Sequence, residues 1–372
     1  MKRRMASQDE IITTEASSLV VEPEALSRVD ELLTRMTQEG TFTGVVLIAQ
    51  AGKVLFSKGY GLADRAQGIP NTPQTRFHLG SITKQFTAMA ILILQSQGKL
   101  SVKDPITNFI AGCPKEWQDI TIHHLLTHTS GLSSQLSNQL YREIEVGTSG
   151  PVVPAEQAQY LGLTSQWALD TQPGEQYAYN NFGYILLAHI IEEVTGQSYR
   201  DYLNQAIFTP LRMCNTGYQD NASGVAKCYL DHADTTGVQF GSPPISEGSG
   251  HLYSTSEDLF LYDQVLYTDR LLPRDELELM FEPFVHEIGD RTPGMPAWLG
   301  FGYGYGRFLG ELQGHPVAAS AGGGPAFAAL IMRYPEDKLV VIMLTNQGGI
   351  GWSVWPTISK ALFGEHRVCQ SR

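Results

Sequence analysis

The hexapeptide Leu79-Gly80-Ser81-Ile82-Thr83-Lys84 runs directly into an apolar stretch, Phe86 to Leu94. That stretch predicts a buried helix, with Ser81 at or just inside its start. On a helix, residues i and i+3 share a face with Cβ atoms about 5–6 Å apart, so the Lys84 amine comes within reach of the Ser81 hydroxyl. The pairing suits a nucleophile and its base. A lysine titrates near 10.4, and acting as a base at pH 7 requires roughly 4 kcal/mol of environment that favours the neutral amine. Burial supplies this, and the positive end of the helix adds to it. By itself the pair is weak, because composition alone gives about one Ser-x-x-Lys in a chain of this length. An isolated Ser81 would also serve as an N-cap.

The context lies further along, in Pro173-Gly174-Glu175-Gln176-Tyr177-Ala178-Tyr179-Asn180-Asn181-Phe182-Gly183-Tyr184. Pro-Gly marks a turn, and Tyr179 with Asn181 falls on a short loop entering an apolar helix, Ile185 to Val194. A tyrosine beside a lysine cation can shuttle a proton, and an asparagine offers both donor and acceptor.

Around these two segments the ends of the chain mirror each other. Leu26, Val29, Leu32, Leu33 and Met36 recur at helical spacing, and Gly40 stops that helix. Thr43 to Gln50 and Val54 to Gly59 read as a hairpin joined by Ala51-Gly52-Lys53. At the far end Val317 to Ser320, Ala326 to Arg333 and Lys338 to Thr345 read as strands, with Tyr334-Pro335-Glu336-Asp337 as a turn and Trp352 to Phe363 as a closing helix. Between them lie helical patterns at Ala88 to Gln95, Ile120 to Leu126, Tyr184 to Val194 and Ser256 to Leu266. The expected organisation is a flexible tail over 1–20, a discontinuous α/β lobe of 21–80 with 295–372, and a mainly helical lobe over 81–294. A cleft between two such lobes is a common ligand site.

Composition narrows the function classes. The 372 residues are 42% hydrophobic and 17% charged, enough to bury a large core. Twenty-six Lys and Arg against 38 Asp and Glu leave a net charge of -12, which argues against nucleic acid as a partner. The start Met1-Lys2-Arg3-Arg4 is followed by polar Ala6 to Glu10 without the apolar core of an export signal, and no run approaches a membrane span. No membrane partner and a cytoplasmic location are therefore expected. Cys113, Cys214, Cys228 and Cys369 are scattered without a Cys-x-x-Cys pair, which favours free thiols.

Taken together, these segments resemble the serine β-lactamase and penicillin-binding-protein superfamily, most closely its class C β-lactamase, esterase and D-peptidase branch. The likeness runs through Gly44-Val45-Val46-Leu47, Gly59 to Asp64, Phe77 to Lys84, Ile120 to Leu132 with its Leu126-Thr127-His128-Thr129-Ser130-Gly131-Leu132, Pro173 to Leu187, Gly250 to Leu259 and Val340 to Asn346. Ordered blocks of this kind are far more specific than Ser-x-x-Lys alone. The resemblance implies an α+β fold of β-lactamase/transpeptidase type, an antiparallel sheet flanked by helices plus an all-helical lobe. It also implies that Ser81 attacks a carbonyl, Lys84 activates it, Tyr179 relays the proton to the leaving group and Asn181 positions substrate and Lys84. The product is a covalent ester on Ser81 that water or another nucleophile resolves. Which of Lys84 and Tyr179 is the base stays open. The substrate is a small-molecule or peptide ester or amide, with no cofactor and no metal.

One element departs from the pattern. Relatives carry Lys-Thr-Gly or His-x-Gly on the strand bordering the cleft, where this chain aligns Ser320-Ala321-Gly322. The missing cation helps to hold a substrate carboxylate, so weak or no β-lactam hydrolysis is expected, and substrates without a free carboxylate gain ground. Backbone donors are unaffected, which assigns the oxyanion hole to the N–H groups of Ser81 and, by alignment, Gly323.

Other constellations point elsewhere. His124 and His128 stand four apart on an expected helix, a zinc-chelating spacing, yet the Glu of His-Glu-x-x-His is absent, and the resemblance assigns Leu125 to Leu132 to a structural turn bordering the cleft. Gly300 to Gly306 fails the Gly-x-Gly-x-x-Gly test, and its Phe301, Tyr303 and Tyr305 read as a strand with one aromatic face. Esterase-like or D-peptide hydrolysis leads. An acyltransferase using the same intermediate, and a binding module that has lost catalysis, are the alternatives.

Overall fold

The computed structural model describes residues 19–133, 169–218, 224–238, 247–286, 288, 302–349 and 354–364. Residues 1–18 of the expected tail, Phe301, Trp352 and Cys369 lie outside these.

Helix α1 (Pro23–Gln38) starts on a proline, whose missing N–H costs nothing in a first turn, and buries Ala25, Val29, Leu32 and Leu33 on one face. Strands β1 (Gly44–Gln50) and β2 (Lys53–Tyr60) follow as the expected hairpin. The loop is tighter than expected: Lys53 pairs with Gln50, leaving only Ala51 and Gly52, both with positive φ, as the two-residue turn that suits twisted strands. Next come β3 (Leu62–Asp64), β4 (Ile69–Pro70) and β5 (Phe77–His78). A 3-10 turn over Gly80–Ile82 then feeds α2 (Thr83–Ser96).

The central helices are α3 (Ile122–Leu126), α4 (Asn181–Thr195), α5 (Tyr199–Leu203) and α6 (Thr209–Leu211). Strands β6 (Gly217–Tyr218) and β7 (Leu252–Ser254) join β5 in a small sheet ordered β5-β7-β6. Helices α7 (Ser256–Val265) and α8 (Arg274–Glu278) precede the C-terminal strands. These are β8 (Gly302–Tyr303), β9 (Phe308–Leu312), β10 (His315–Gly324), β11 (Phe327–Tyr334) and β12 (Leu339–Thr345), and α9 (Trp355–Phe363) follows them.

The main sheet is ordered β2-β1-β12-β11-β10-β9-β8, with every neighbouring pair antiparallel. Strands β1 and β12 pair from Gly44 opposite Thr345 to Gln50 opposite Leu339, so the two ends of the chain meet in the middle of the sheet. Both faces are covered, which is why β1, β11 and β12 read as continuous apolar runs rather than alternating ones. One face sends Val46, Ile48, Leu330, Met332, Val341 and Met343 into a core with Val29 and Leu33 of α1 and Trp355 and Ile358 of α9. The other sends Val45, Leu47, Ile331, Ile342 and Leu344 against Phe86, Met89 and Tyr262 of α2 and α7. Among the described residues no helix is long and apolar enough to cross a membrane.

Two expectations fail locally. Among the described residues of the aromatic-glycine run only Gly302 and Tyr303 are strand, and Tyr305 lies beyond it, because Gly306 takes φ +75 and bends the chain. His128 is not on a helix with His124. Helix α3 ends at Leu126, and His128 has φ +59, so the two rings do not share the one-turn spacing that a chelating pair needs.

Candidate active site

Ser81 sits in the 3-10 turn that opens α2, partly exposed, whereas every residue from Thr83 to Leu94 is buried. Leu79 N–H donates to Leu252 O at 2.8 Å, fixing the entry to this turn from the small sheet. Strand β10 presses on it from the other side. A Cβ on Gly322 would stand 1.9 Å from Leu79 O and 2.7 Å from Ser81 N, and a Cβ on Gly80 would stand 2.7 Å from Gly323 N. Only glycines permit that approach. Gly80 also needs its φ of +53 to present Ser81 at the edge of the sheet.

Lys84 is 1% exposed, and its Nζ lies 3.1 Å from Ser81 Oγ. Nζ donates to Asn181 Oδ1 and to Ser249 O, each at 2.7 Å. Among the described residues these three oxygens are its polar neighbours, and none is a carboxylate. Burial drives the amine well below the usual lysine range. A neutral amine has two N–H bonds and one lone pair. With Asn181 and Ser249 accepting the two N–H bonds, the lone pair is left for the Ser81 hydroxyl.

Tyr179 reaches the same oxygen from the opposite direction, its OH donating to Ser81 Oγ at 2.7 Å. Its position follows from the residues on either side. Asn180 caps α4 by accepting from Phe182 N–H at 2.9 Å, and its own side-chain amide donates to Leu132 O at 2.8 Å. His128 takes the adjoining backbone. Its carbonyl accepts from Ala178 N–H at 2.8 Å and its Nδ1 from Asn180 N–H at 3.1 Å, while its ring lies 4.4 Å from that of Tyr179. With Nδ1 accepting, Nε2 carries the hydrogen and faces Tyr303 OH at 3.2 Å. Burial lowers the His128 pKa well below its ordinary value, and protonation of Lys84 would lower it further, so the ring is neutral.

Strand β10 supplies the remaining candidates. Ser320 is buried opposite Ile331 and shares a strand face with Gly322, two residues on. Gly322 is buried and Gly323 exposed. Two histidines flank the nucleophile turn. His78 packs on Phe327 with ring centroids 5.5 Å apart, and burial followed by the nearby His251 lowers its pKa to about 4. His251 is likewise lowered to about 4, by burial and then by Lys84.

The structure thus brings Ser81, Lys84, Tyr179 and Asn181 into one hydrogen-bonded cluster, with Gly322 and Gly323 against the turn that carries Ser81. Sequence reasoning missed Ser249, which acts through a backbone carbonyl and so leaves no residue-type signal. It placed His128 in a structural turn bordering the cleft, but it did not find that the ring braces the backbone beside Tyr179. The His-Thr-Ser-Gly turn held the clue, since a histidine next to a tight turn often braces backbone through its ring.

An α+β fold with a Ser-Lys-Tyr cluster at the sheet edge is the arrangement of the β-lactamase and penicillin-binding type of hydrolase. A model of the Beta-lactamase family matches residues 29–353, and the chain belongs to that family. It is 27% identical over 339 residues to penicillin-binding protein 4* of Bacillus subtilis (strain 168), covering 85% of this chain and 70% of that one. It is 29% identical over 324 residues to the teichoic acid D-alanine hydrolase of Staphylococcus aureus (strain MRSA252), covering 85% and 73%. Among solved structures, the octameric penicillin-binding protein homologue from Pyrococcus abyssi superposes with a TM-score of 0.74 at 29% identity, covering 86% of this chain and 73% of that one. The chain is a hydrolase of this type.

Proposed function

We propose that the protein cleaves an ester or amide through a covalent acyl-Ser81 intermediate, on substrates that lack a free carboxylate beside the scissile bond. The observation that carries this reading is the pair of contacts on Ser81 Oγ, with Lys84 Nζ at 3.1 Å and Tyr179 OH at 2.7 Å. The Lys84 amine takes the Ser81 proton as Oγ bonds to the carbonyl carbon. The resulting oxyanion faces the N–H groups of Ser81 and Gly323, which the close approach of β10 supports. Tyr179 then gives its proton to the departing oxygen or nitrogen and recovers one from the Lys84 ammonium. Water adds to the acyl-Ser81 ester with the same groups in reverse, releasing the acid. Asn181 holds Lys84 in place and offers its amide to substrate.

Ser320 in place of a cation motivates the substrate class. The similarity to a teichoic acid D-alanine hydrolase makes D-alanyl esters of polyols the first substrates to try. A cytoplasmic location belongs to the same reading, resting on the free thiols of Cys113, Cys214 and Cys228, and cell fractionation checks it.

Intact-protein mass spectrometry after a fluorophosphonate probe tests the nucleophile. One adduct is expected on the native chain and none on Ser81→Ala, with p-nitrophenyl ester turnover lost in parallel. An adduct that persists in Ser81→Ala refutes the reading. Nitrocefin turnover at the efficiency of a dedicated β-lactamase refutes the substrate class.

A further inference from the structure

His251 has φ +71, in the left-handed region that residues with a side chain avoid. Its neighbours are tied to the nucleophile segment at three points. Ser249 O accepts from Lys84 Nζ at 2.7 Å, Leu252 N–H donates to Thr83 Oγ1 at 3.3 Å, and Leu252 O accepts from Leu79 N–H at 2.8 Å. The β5–β7 register, Phe77 opposite Ser254 and His78 opposite Tyr253, together with the Leu79–Leu252 bond, brings the start of β7 to the turn that carries Ser81. A glycine would adopt this backbone without strain. A histidine held there instead is an outlier that points to a role for its ring. Lys84 is buried, His251 is half-buried, and the two interact electrostatically.

We propose that His251 is a positioning residue for Lys84: its left-handed backbone aims the Ser249 carbonyl at Nζ, and its imidazole screens that amine from water. The inference rests on Lys84 being the base in the reading above. The ionisable groups around the pair are His78 on β5, Tyr179 and Tyr184 at the start of α4, and His128 beyond α3. Tyr179 and Tyr184 place their rings 4.9 and 5.5 Å from Nζ. Glu247, on the same segment as His251, is paired with Arg200. The three histidines are neutral at pH 7, so screening by His251 acts through exclusion of water rather than through charge.

His251→Gly separates the two contributions, because it keeps the backbone shape and removes only the ring. The titration of Lys84 is followed by NMR of the full-length protein with 13C-labelled lysine side chains, assigned with Lys84→Arg. In His251→Gly the Lys84 midpoint is expected to rise by about one pH unit as water reaches the amine, while the melting temperature holds or rises. The acid limb of the kcat/KM profile for an activated ester moves the same way. His251→Asn, which tolerates the same φ, is expected to fall between, and it serves as the deciding variant if His251→Gly does not fold. A midpoint unchanged from the native chain overturns the proposal. A shifted midpoint in a protein that turns over no ester would refute the nucleophile reading and leave the role of His251 standing.

Discussion

In the proposed reading, Ser320 is the residue that sets the substrate class. It lies on β10 and shares the face of Gly322, whose Cα abuts the Ser81 turn. A serine there has no charge with which to meet a substrate carboxylate. Ser320→Lys is therefore expected to lower KM for carboxylate-bearing acyl donors such as benzylpenicillin by about tenfold, the scale of one charge-assisted hydrogen bond. Steady-state kinetics of the variant against esters with and without the carboxylate check this, and equal effects on both would reject it. His128 acts at the same scale without touching the reacting atoms. His128→Ala frees the 178–180 backbone that carries Tyr179, so kcat is expected to fall by on the order of 100-fold while KM changes little. The kcat and KM of the folded variant decide between loss of positioning and loss of binding.

At the scale of elements, the site exists because β10 meets the turn before α2. Gly322 is the contact point, and any side chain there drives into Leu79 O. Gly322→Ala is expected to push strand and turn apart, costing about 1–3 kcal/mol of stability and most of the turnover. Urea unfolding and ester kinetics on the same preparation measure both. The second junction is the start of α4, where Asn180 caps the helix that begins with Asn181. That cap lies between Tyr179 and Asn181 in sequence, so the two side chains leave the helix start in fixed directions. The same short segment therefore ends a loop, opens a helix and aims two functional groups.

At the scale of the whole molecule, two histidines shielded from water, His78 buried and His251 half-buried, set the response to acid. His78 and His251 are neutral in the folded protein, with pKa values of about 4, whereas the unfolded chain titrates at 6.5. Between those values the unfolded chain binds more protons than the native one, so acid favours unfolding. Stability is expected to be highest above pH 6.5 and to fall as pH drops from 6.5 toward 4. Melting temperatures across that range test it, and the fall should be shallower in His78→Gln.

The sequence by itself determined the elements at the two ends of the chain and the Ser81–Lys84 pair. These depend on local spacing: apolar runs long enough to be strands, and a lysine three residues from a serine at a helix start, with Nζ 3.1 Å from Oγ. The family resemblance named Tyr179 and Asn181 as well, but only the tertiary structure brings them to Ser81 and Lys84. Tyr179 comes to Ser81 from 98 residues away, and Ser249 O comes to Lys84 from 165 residues away. It also decided that His128 braces backbone rather than chelating, and that His251 takes a left-handed turn beside the nucleophile. The physical reason is that a backbone carbonyl or amide is the same in every residue. Which of them faces a buried amine is fixed only when distant segments pack, and no residue type records it.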